Sequence, residues 1–298
     1  MENKDFGQLV AIFRKESLNE FDNPMTQNDL ADLARIPLIT LQKIEQGRQV
    51  NIKADLLINL AEALNLNSQI AQTFFLSSLG IKANKMSTPS TTPQAVLDDL
   101  TQVLSNLQNP AFIIDSFGDI LVINQSLMTV YNLEASQLHA PHLLSQYNIN
   151  RLYFSPELEG IRKMMGNIQF DYLHRAILLF KWLTLKVRNH WFFLQLLPEL
   201  NRFPIFRDHW QSHFSNEEDL FAQYKILSLN HPSLGQITFL STPNHAITTE
   251  GDLSLFSFQP MDTHTAEVCC QLARKYDSQL IQLGSWPKPP IPAGLLMK

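Results

Sequence analysis

Residues 26–47, Thr-Gln-Asn-Asp-Leu-Ala-Asp-Leu-Ala-Arg-Ile-Pro-Leu-Ile-Thr-Leu-Gln-Lys-Ile-Glu-Gln-Gly, constrain the fold more than any other stretch. Thr26 is placed to accept a backbone N–H bond from the first turn of a helix. Leu30, Leu33 and Ala34 then share one helical face. Pro37 disfavours helical geometry at Ile36 but suits a first helical turn, so one helix ends and another begins there. Leu41 and Ile44 face inward from the second helix. Gly47 suits the left-handed residue that closes it. The segment reads as two short helices joined by a tight turn, the second with an outward polar face.

This stretch resembles the helix-turn-helix of the XRE (Cro/repressor-like) transcription regulators, whose pattern is T-Q-x-x-L-A-x-x-A-G-V-S-x-x-T-I-S-x-I-E-x-G. Thr26, Gln27, Leu30, Ala31, Ala34, Ile36, Thr40, Leu41, Ile44, Glu45 and Gly47 fit it. Arg35 stands where the family has its turn glycine, so a non-glycine must adopt that turn, and Pro37 replaces the capping Ser or Thr. The resemblance implies double-stranded DNA as partner. By family position, Leu38, Ile39, Thr40, Gln42 and Lys43 lie where base edges are read, since only the exposed start of the second helix reaches the major groove. Lys43 suits guanine and Gln42 adenine; Leu38 and Ile39 offer only contact with thymine methyls, or with a protein partner instead. Gln27, Arg48, Asn51 and Lys53 are expected to hold phosphates, which positions a protein on DNA without reading sequence. Residues 1–80 carry 7 Lys/Arg against 10 Asp/Glu, a net of −3. Arg35, Lys43, Arg48 and Lys53 nonetheless cluster about the second helix, so non-specific affinity is expected to be modest and salt-sensitive.

At 298 residues the chain is long enough for two domains, and 45% hydrophobic against 17% charged residues indicate sizeable cores. Residues 1–5 are polar with no apolar run behind them, unlike a signal peptide. The most apolar helical stretch, 168–188, is interrupted by Asp171, His174, Arg175, Lys181 and Lys186, and reads as a buried helix with no membrane insertion. The two cysteines, Cys269 and Cys270, are adjacent and cannot staple distant segments. They read as small buried hydrophobes, and a reducing cytoplasm is the expected location.

Apolar periodicity predicts five helices in the first domain, residues 1–81: 6–18, the pair above, 55–64 and 68–79. Residues 82–93 are polar with two prolines and read as a linker. The second domain, 94–280, opens with a helix over 94–107. A β-hairpin follows, 111–115 and 120–124 around a Gly118 turn, then a helix over 125–131. This entry resembles a PAS domain. Residues 150–213 look helical; 221–229, 235–241 and 253–258 read as strands, and 263–275 as a last helix. The tail, 281–298, is proline-rich and is expected to be extended or disordered. The fold class is α+β: a five-helix bundle followed by a PAS-like domain with a small antiparallel sheet and many helices.

Asn109-Pro110-Ala111-Phe112-Ile113-Ile114-Asp115, Phe203-Pro204-Ile205-Phe206-Arg207-Asp208-His209-Trp210 and His231-Pro232-Ser233-Leu234-Gly235-Gln236-Ile237-Thr238 resemble, in order, three motifs of the MmyB-like ligand-binding domain, a PAS-related module found behind XRE motifs. The resemblance implies a regulator that binds an apolar small molecule, a fatty acid or similar lipid. Residues 132–170 depart from it most, which leaves the ligand open. Among the aromatic residues of the helices, Phe180, Trp182, Trp191, Phe206 and Trp210 are candidates to line a cavity, although such a wall can equally close a dry core. Arg162, Arg175 and Arg207 are candidate anchors for an acidic headgroup.

His209 and His213 are four apart, a zinc-binding geometry, but no third ligand at a telling spacing accompanies them. No P-loop, GxGxxG or G-x-S-x-G occurs, so neither a metal, a cofactor nor an enzymatic activity is expected. The sequence therefore favours a ligand-responsive DNA-binding regulator, working as a homodimer because one helix-turn-helix reads few base pairs. The helix over 94–107, with Val96, Leu97, Leu100, Val103, Leu104 and Leu107, is wide enough to serve a core and a partner subunit. The alternative is a protein-interaction regulator on the same scaffold that no longer binds DNA.

Overall fold

The computed structural model describes residues 3–19, 21, 23–49, 52–66, 68–78, 92–211, 225–248, 250–277 and 279–288. The chain divides into two compact units, Met1–Thr88 with Gln211–Leu220, and Pro89–Trp210 with Phe221–Lys298.

The first unit contains helices α1 (Asn3–Glu16), α2 (Gln27–Leu33), α3 (Leu38–Glu45), α4 (Ala54–Ala63) and α5 (Ser68–Ser78), the five expected from periodicity. Their core is Leu9, Val10, Phe13, Leu30, Leu41, Ile44, Leu60 and Phe74. Thr26 and Asp29 form a reciprocal capping box at the start of α2, which satisfies two orphan donors of its first turn. Both helices of the pair close by the same device, a left-handed residue whose neighbours' N–H groups turn back to the last carbonyls. At α3 that residue is Gly47 (φ 69°), with Arg48 N–H donating to Lys43 O at 2.8 Å. At α2 it is Arg35 (φ 54°), with Ile36 N–H donating to Ala31 O at 3.0 Å. The arginine thus does adopt the turn conformation that usually falls to glycine, at some conformational cost.

The second unit opens with α6 (Pro93–Ser105), which Thr92 caps. Pro93 therefore starts a helix, where its fixed φ and missing N–H do no harm, and is not part of the linker. Strands β1 (Ala111–Asp115) and β2 (Ile120–Asn124) form the hairpin, followed by α7 (Gln125–Val130) and the single turn α8 (Ala135–Leu138). The helical middle is α9 (Ile149–Phe154), α10 (Glu159–Met165), α11 (Gln169–Leu183), α12 (Trp191–Leu200) and α13 (Pro204–Gln211). Strands β3 (Lys225–His231), β4 (Gly235–Ala246) and β5 (Leu253–Pro260), helix α14 (Thr263–Tyr276) and a short strand β6 (Leu280–Gln282) complete it. The expected strand over 221–229 is described only from Lys225.

The six strands form one antiparallel sheet in the order β3-β4-β5-β1-β2-β6. β1 and β2 are buried at every position, so both faces of the sheet are covered there, and period-two alternation assigns their side chains to two different cores. Ala111 and Ile113 pack with Leu121, Leu253 and Leu255 under Leu97 and Leu104 of α6. Phe112 and Ile114 turn the other way, with Phe256 and Phe258 of β5, toward α9 and α11.

The tail, expected to be extended or disordered, is extended over its described residues and is built into the second unit. β6 pairs with β2, and Leu283 and Gly284 continue the contact through N–H donation to Leu121 O and Ile120 O. Trp286 packs into the α6-side core. Lys288 Nζ lies 2.6 Å from Asp119 Oδ2 and 3.1 Å from Asp115 Oδ2 at the hairpin turn. Proline-rich composition removes regular ladder bonds but does not prevent this anchoring by a buried aromatic ring and a buried ion cluster. Residues 289–298 lie outside the described residues.

Candidate functional site

The helix-turn-helix is held from behind by a charged cluster. Arg14 of α1 donates Nε and a terminal nitrogen to the two carboxylate oxygens of Glu45, at 2.7 and 3.1 Å. Its other terminal nitrogen donates to Met25 O at 2.8 Å. Gln27 Nε2 donates to the same carboxylate at 2.6 Å. One acid therefore ties α1, α2 and α3 together through bidentate and charge-assisted bonds. Gln27, expected on a phosphate, is engaged inside this cluster through its amide nitrogen. Gly7 permits the close approach of α1: a Cβ there would run into Ile44 O and stand 2.8 Å from Glu45 O.

With Leu41 and Ile44 buried and the Glu45 carboxylate turned to α1 and α2, the outward face of α3 is carried by Leu38, Ile39 and Lys43, with Thr40 and Gln42 at its edge. Leu38 is 37% and Ile39 58% exposed. Lys43 is exposed and Thr40 and Gln42 half-buried, while Arg35, Arg48 and Lys53 are exposed around them. The structure thus brings Leu38, Ile39, Thr40, Gln42 and Lys43 onto one short helix with cations at its margins. Asn51 lies outside the described residues.

In the second unit a cavity of about 20 Å³ sits between the sheet and the helices, the room of a single water. Its walls are Phe112, Ile114, Phe256 and Phe258 from the sheet, and chiefly Tyr153, Tyr172, Ala176, Leu179 and Phe180 from α9 and α11. Asn150 and Ser241 supply the remaining polar atoms beside the two tyrosines. Tyr153 bridges Tyr131 and Tyr172 through hydroxyl contacts of 2.9 and 3.1 Å. Burial pushes all three phenols well above their ordinary range, so they stay neutral hydrogen-bonding groups.

Phe180 is the one expected ligand residue that lines this cavity. Phe206 and Trp210 stand behind it: Trp210 stacks on Phe206 at 5.7 Å and meets the Phe180 ring at 5.9 Å, with Lys181 and Arg188 over its face. Trp182 packs against His245 at 5.0 Å and Trp191 against His190 and Phe192, all away from the cavity walls. Of the arginines, Arg162 donates to Tyr153 O and Ser155 O, closing the end of α9. Arg207 is about half exposed beside Asp208, and Arg175 is exposed. The structure brings none of the three to the cavity. The fully buried arginines are Arg151 and Arg188, and Arg151 is used on the carbonyls of Leu138 and Gln146.

His209 is buried among the rings of Phe154, Phe170 and His174; His213, its expected neighbour, lies outside the described residues. Among the described residues no group of three metal-ligating side chains occurs. Cys269 is buried, with a thiol that burial pushes up to about 11. Cys270 is exposed, contrary to the expectation of two buried cysteines, because neighbours on α14 point to different sides. No described helix is long and apolar enough to cross a membrane.

Sequence reasoning found the outward helix but not what supports it. Arg14 and Gly7 lie on α1, where neither spacing nor residue type points to a partner on α3. Asn150 and the tyrosine trio were equally silent, since their roles depend on contacts between helices distant in sequence.

Comparison with known families agrees with both units. Residues 25–69 match a helix-turn-helix family, spanning α2, α3 and α4. Residues 96–272 match the MmyB-like transcription regulator ligand binding domain, from α6 through most of α14. No curated protein matches the chain. The second match covers more than half of the sequence, and the chain therefore belongs to the MmyB-like transcription regulator ligand binding domain family, with a helix-turn-helix preceding that domain.

Proposed function

We propose that the protein is a sequence-specific DNA-binding transcription regulator whose second unit, a PAS-like sensor, responds to an apolar small molecule, a fatty acid or similar lipid. The observation that carries this reading is the pairing, in one chain, of an outward α3 bordered by Arg35, Lys43, Arg48 and Lys53 with a buried, largely carbon-lined cavity. α3 supplies the base-reading residues, and Arg48 and Lys53 the phosphate contacts. The cavity is small enough that any lipid must displace its walls, so ligand binding selects a different arrangement from the closed one, as a switch requires. The protein acts as a homodimer, which two-fold operators demand of two recognition helices about 34 Å apart. α6 contributes little to that dimer: five residues of its apolar stripe pack onto the sheet, and Val103 alone of the six is exposed, at 49%.

Selection of genomic fragments by the full chain tests the DNA reading. Lys43→Ala should weaken the selected site by about 1–3 kcal/mol if Lys43 makes a good base contact. Arg48→Ala should weaken all sequences and flatten the salt dependence. Equal affinity of both variants and the parent for the selected site would remove the assignment. A second reading, a protein-interaction regulator that no longer binds DNA, is favoured by the exposure of Leu38 and Ile39 on α3; failure to select any fragment would support it.

A further inference from the structure

The cavity walls are carbon apart from Asn150, Ser241 and two tyrosine hydroxyls, and among the described residues that line it none carries a positive charge. Asn150 is 1% exposed, and its neighbours dictate how its amide is turned. Asn148 donates Nδ2 to Phe117 O at 2.8 Å and to Asp119 Oδ1 at 2.7 Å, so its own Oδ1 is the end that faces Asn150. That oxygen receives the backbone N–H and the Nδ2 of Asn150, both at 3.1 Å. Reversing the Asn150 amide would set two acceptors against each other. Asn150 Oδ1 is therefore an acceptor, and no described residue donates to it. A buried amide oxygen without a donor is costly and calls for a partner.

A carboxylate is the wrong partner: it brings charge and further acceptor oxygens against Oδ1, with no cation in the walls to compensate. We propose that the cavity takes an apolar molecule whose polar end is a neutral hydrogen-bond donor, and that Asn150 Oδ1, covered while the walls are closed, receives that donor once they part. An alcohol, a primary amide and a protonated carboxylic acid all fit; an ionised headgroup does not. The proposal rests on reading this unit as a ligand sensor and specifies the chemistry of the ligand's end. It also replaces the arginine anchors, none of which reaches the cavity.

Calorimetric titration of the full chain with four probes built on an eight-carbon chain tests it: 1-octanol, octanamide, octyl methyl ether and octanoate. The alcohol and the amide should bind at least tenfold tighter than the ether. Octanoate affinity should fall about tenfold per pH unit between pH 6 and 8, because only the protonated acid is taken. Asn150→Leu should erase the difference between alcohol and ether while retaining the ether, and the octanoate pH profile of the parent needs no variant at all. Equal binding of alcohol and ether, as when a water satisfies Asn150, or octanoate binding indifferent to pH, would overturn the donor assignment and leave the sensor reading standing. No binding by any probe at any pH would overturn both.

Discussion

Glu45 does more than its place at the end of α3 suggests. Its carboxylate is 7% exposed and receives Arg14, itself 10% exposed in its side chain, together with Gln27. Removing one partner of a buried pair leaves the other charge uncompensated, at a cost of about 3–5 kcal/mol. Glu45→Ala should accordingly lower the unfolding midpoint of the first unit sharply, whereas Lys43→Ala, on the outward side of the same helix, should leave it within about 0.5 kcal/mol. Gly7→Ala is expected to cost about 1–3 kcal/mol, because the added Cβ meets backbone carbonyls of α3 that have little room to move. Denaturant titration followed by circular dichroism checks all three; an unshifted midpoint in Glu45→Ala would mean the cluster is ornamental. At this scale the sequence was legible wherever conformation is local. Arg35 in a turn, Thr26 at a cap and Gly47 at a helix end follow from their neighbours in the chain. The Arg14–Glu45 bond spans thirty-one positions, and no spacing rule reaches that far.

Among the elements, the C-terminal strap shows where composition says too little: it is extended, as expected, but composition does not tell what it is anchored to. Most helices and strands with a clear period lie where the period puts them, but α1 begins three residues before its expected start and β4 runs five residues past its expected end. The strap has no period, and it lies beyond the residues that match the family domain. It holds the hairpin from two sides, through Trp286 in the α6-side core and Lys288 between Asp115 and Asp119. Asp119 is pushed up to about 6, first by burial and then by Asp115, with Lys288 opposing both. A folded-state value above the unfolded one means that the folded state holds a proton the unfolded chain has lost between about pH 4 and 6. Stability contributed by this group therefore falls as pH rises through that window. Lys288→Met removes the compensating charge and extends the window upward, because two buried carboxylates then face each other unopposed. The variant's loss of melting temperature should be small near pH 5 and grow steadily toward pH 8. A deficit independent of pH would show that Lys288 acts by packing on Phe192, over whose ring it lies at 4.8 Å, and not by charge.

For the whole molecule, the sheet is the element shared by both cores of the sensor unit. Phe112 and Ile114 line the cavity, while Ala111 and Ile113, the alternate residues of the same strand, seat α6. Gly118 at the hairpin turn lies against Phe180 of the cavity wall: a Cβ there would be 3.2 Å from its ring. A ligand that parts the walls by moving β1, which lines the cavity on one face and seats α6 on the other, carries the displacement to α6 through close-packed contacts. α6 is also the element of this unit from which the chain leads back to the helix-turn-helix. If the bound arrangement favours one spacing of recognition helices over another, ligand should change operator affinity about 5- to 150-fold, and operator should change ligand affinity by the same factor. Leu100, partly buried between α6 and the sheet, gives a discriminating variant. Leu100→Ala should keep octanol affinity within about threefold while shrinking the ligand-induced shift in operator affinity, because it loosens the seat of α6 without touching the cavity walls. Parallel titrations of ligand against operator-bound and free protein, in parent and variant, measure both quantities. A shift that survives Leu100→Ala intact would take α6 out of the route. A ligand that binds the parent without changing operator affinity at all would mean that the cavity senses something the helix-turn-helix never hears.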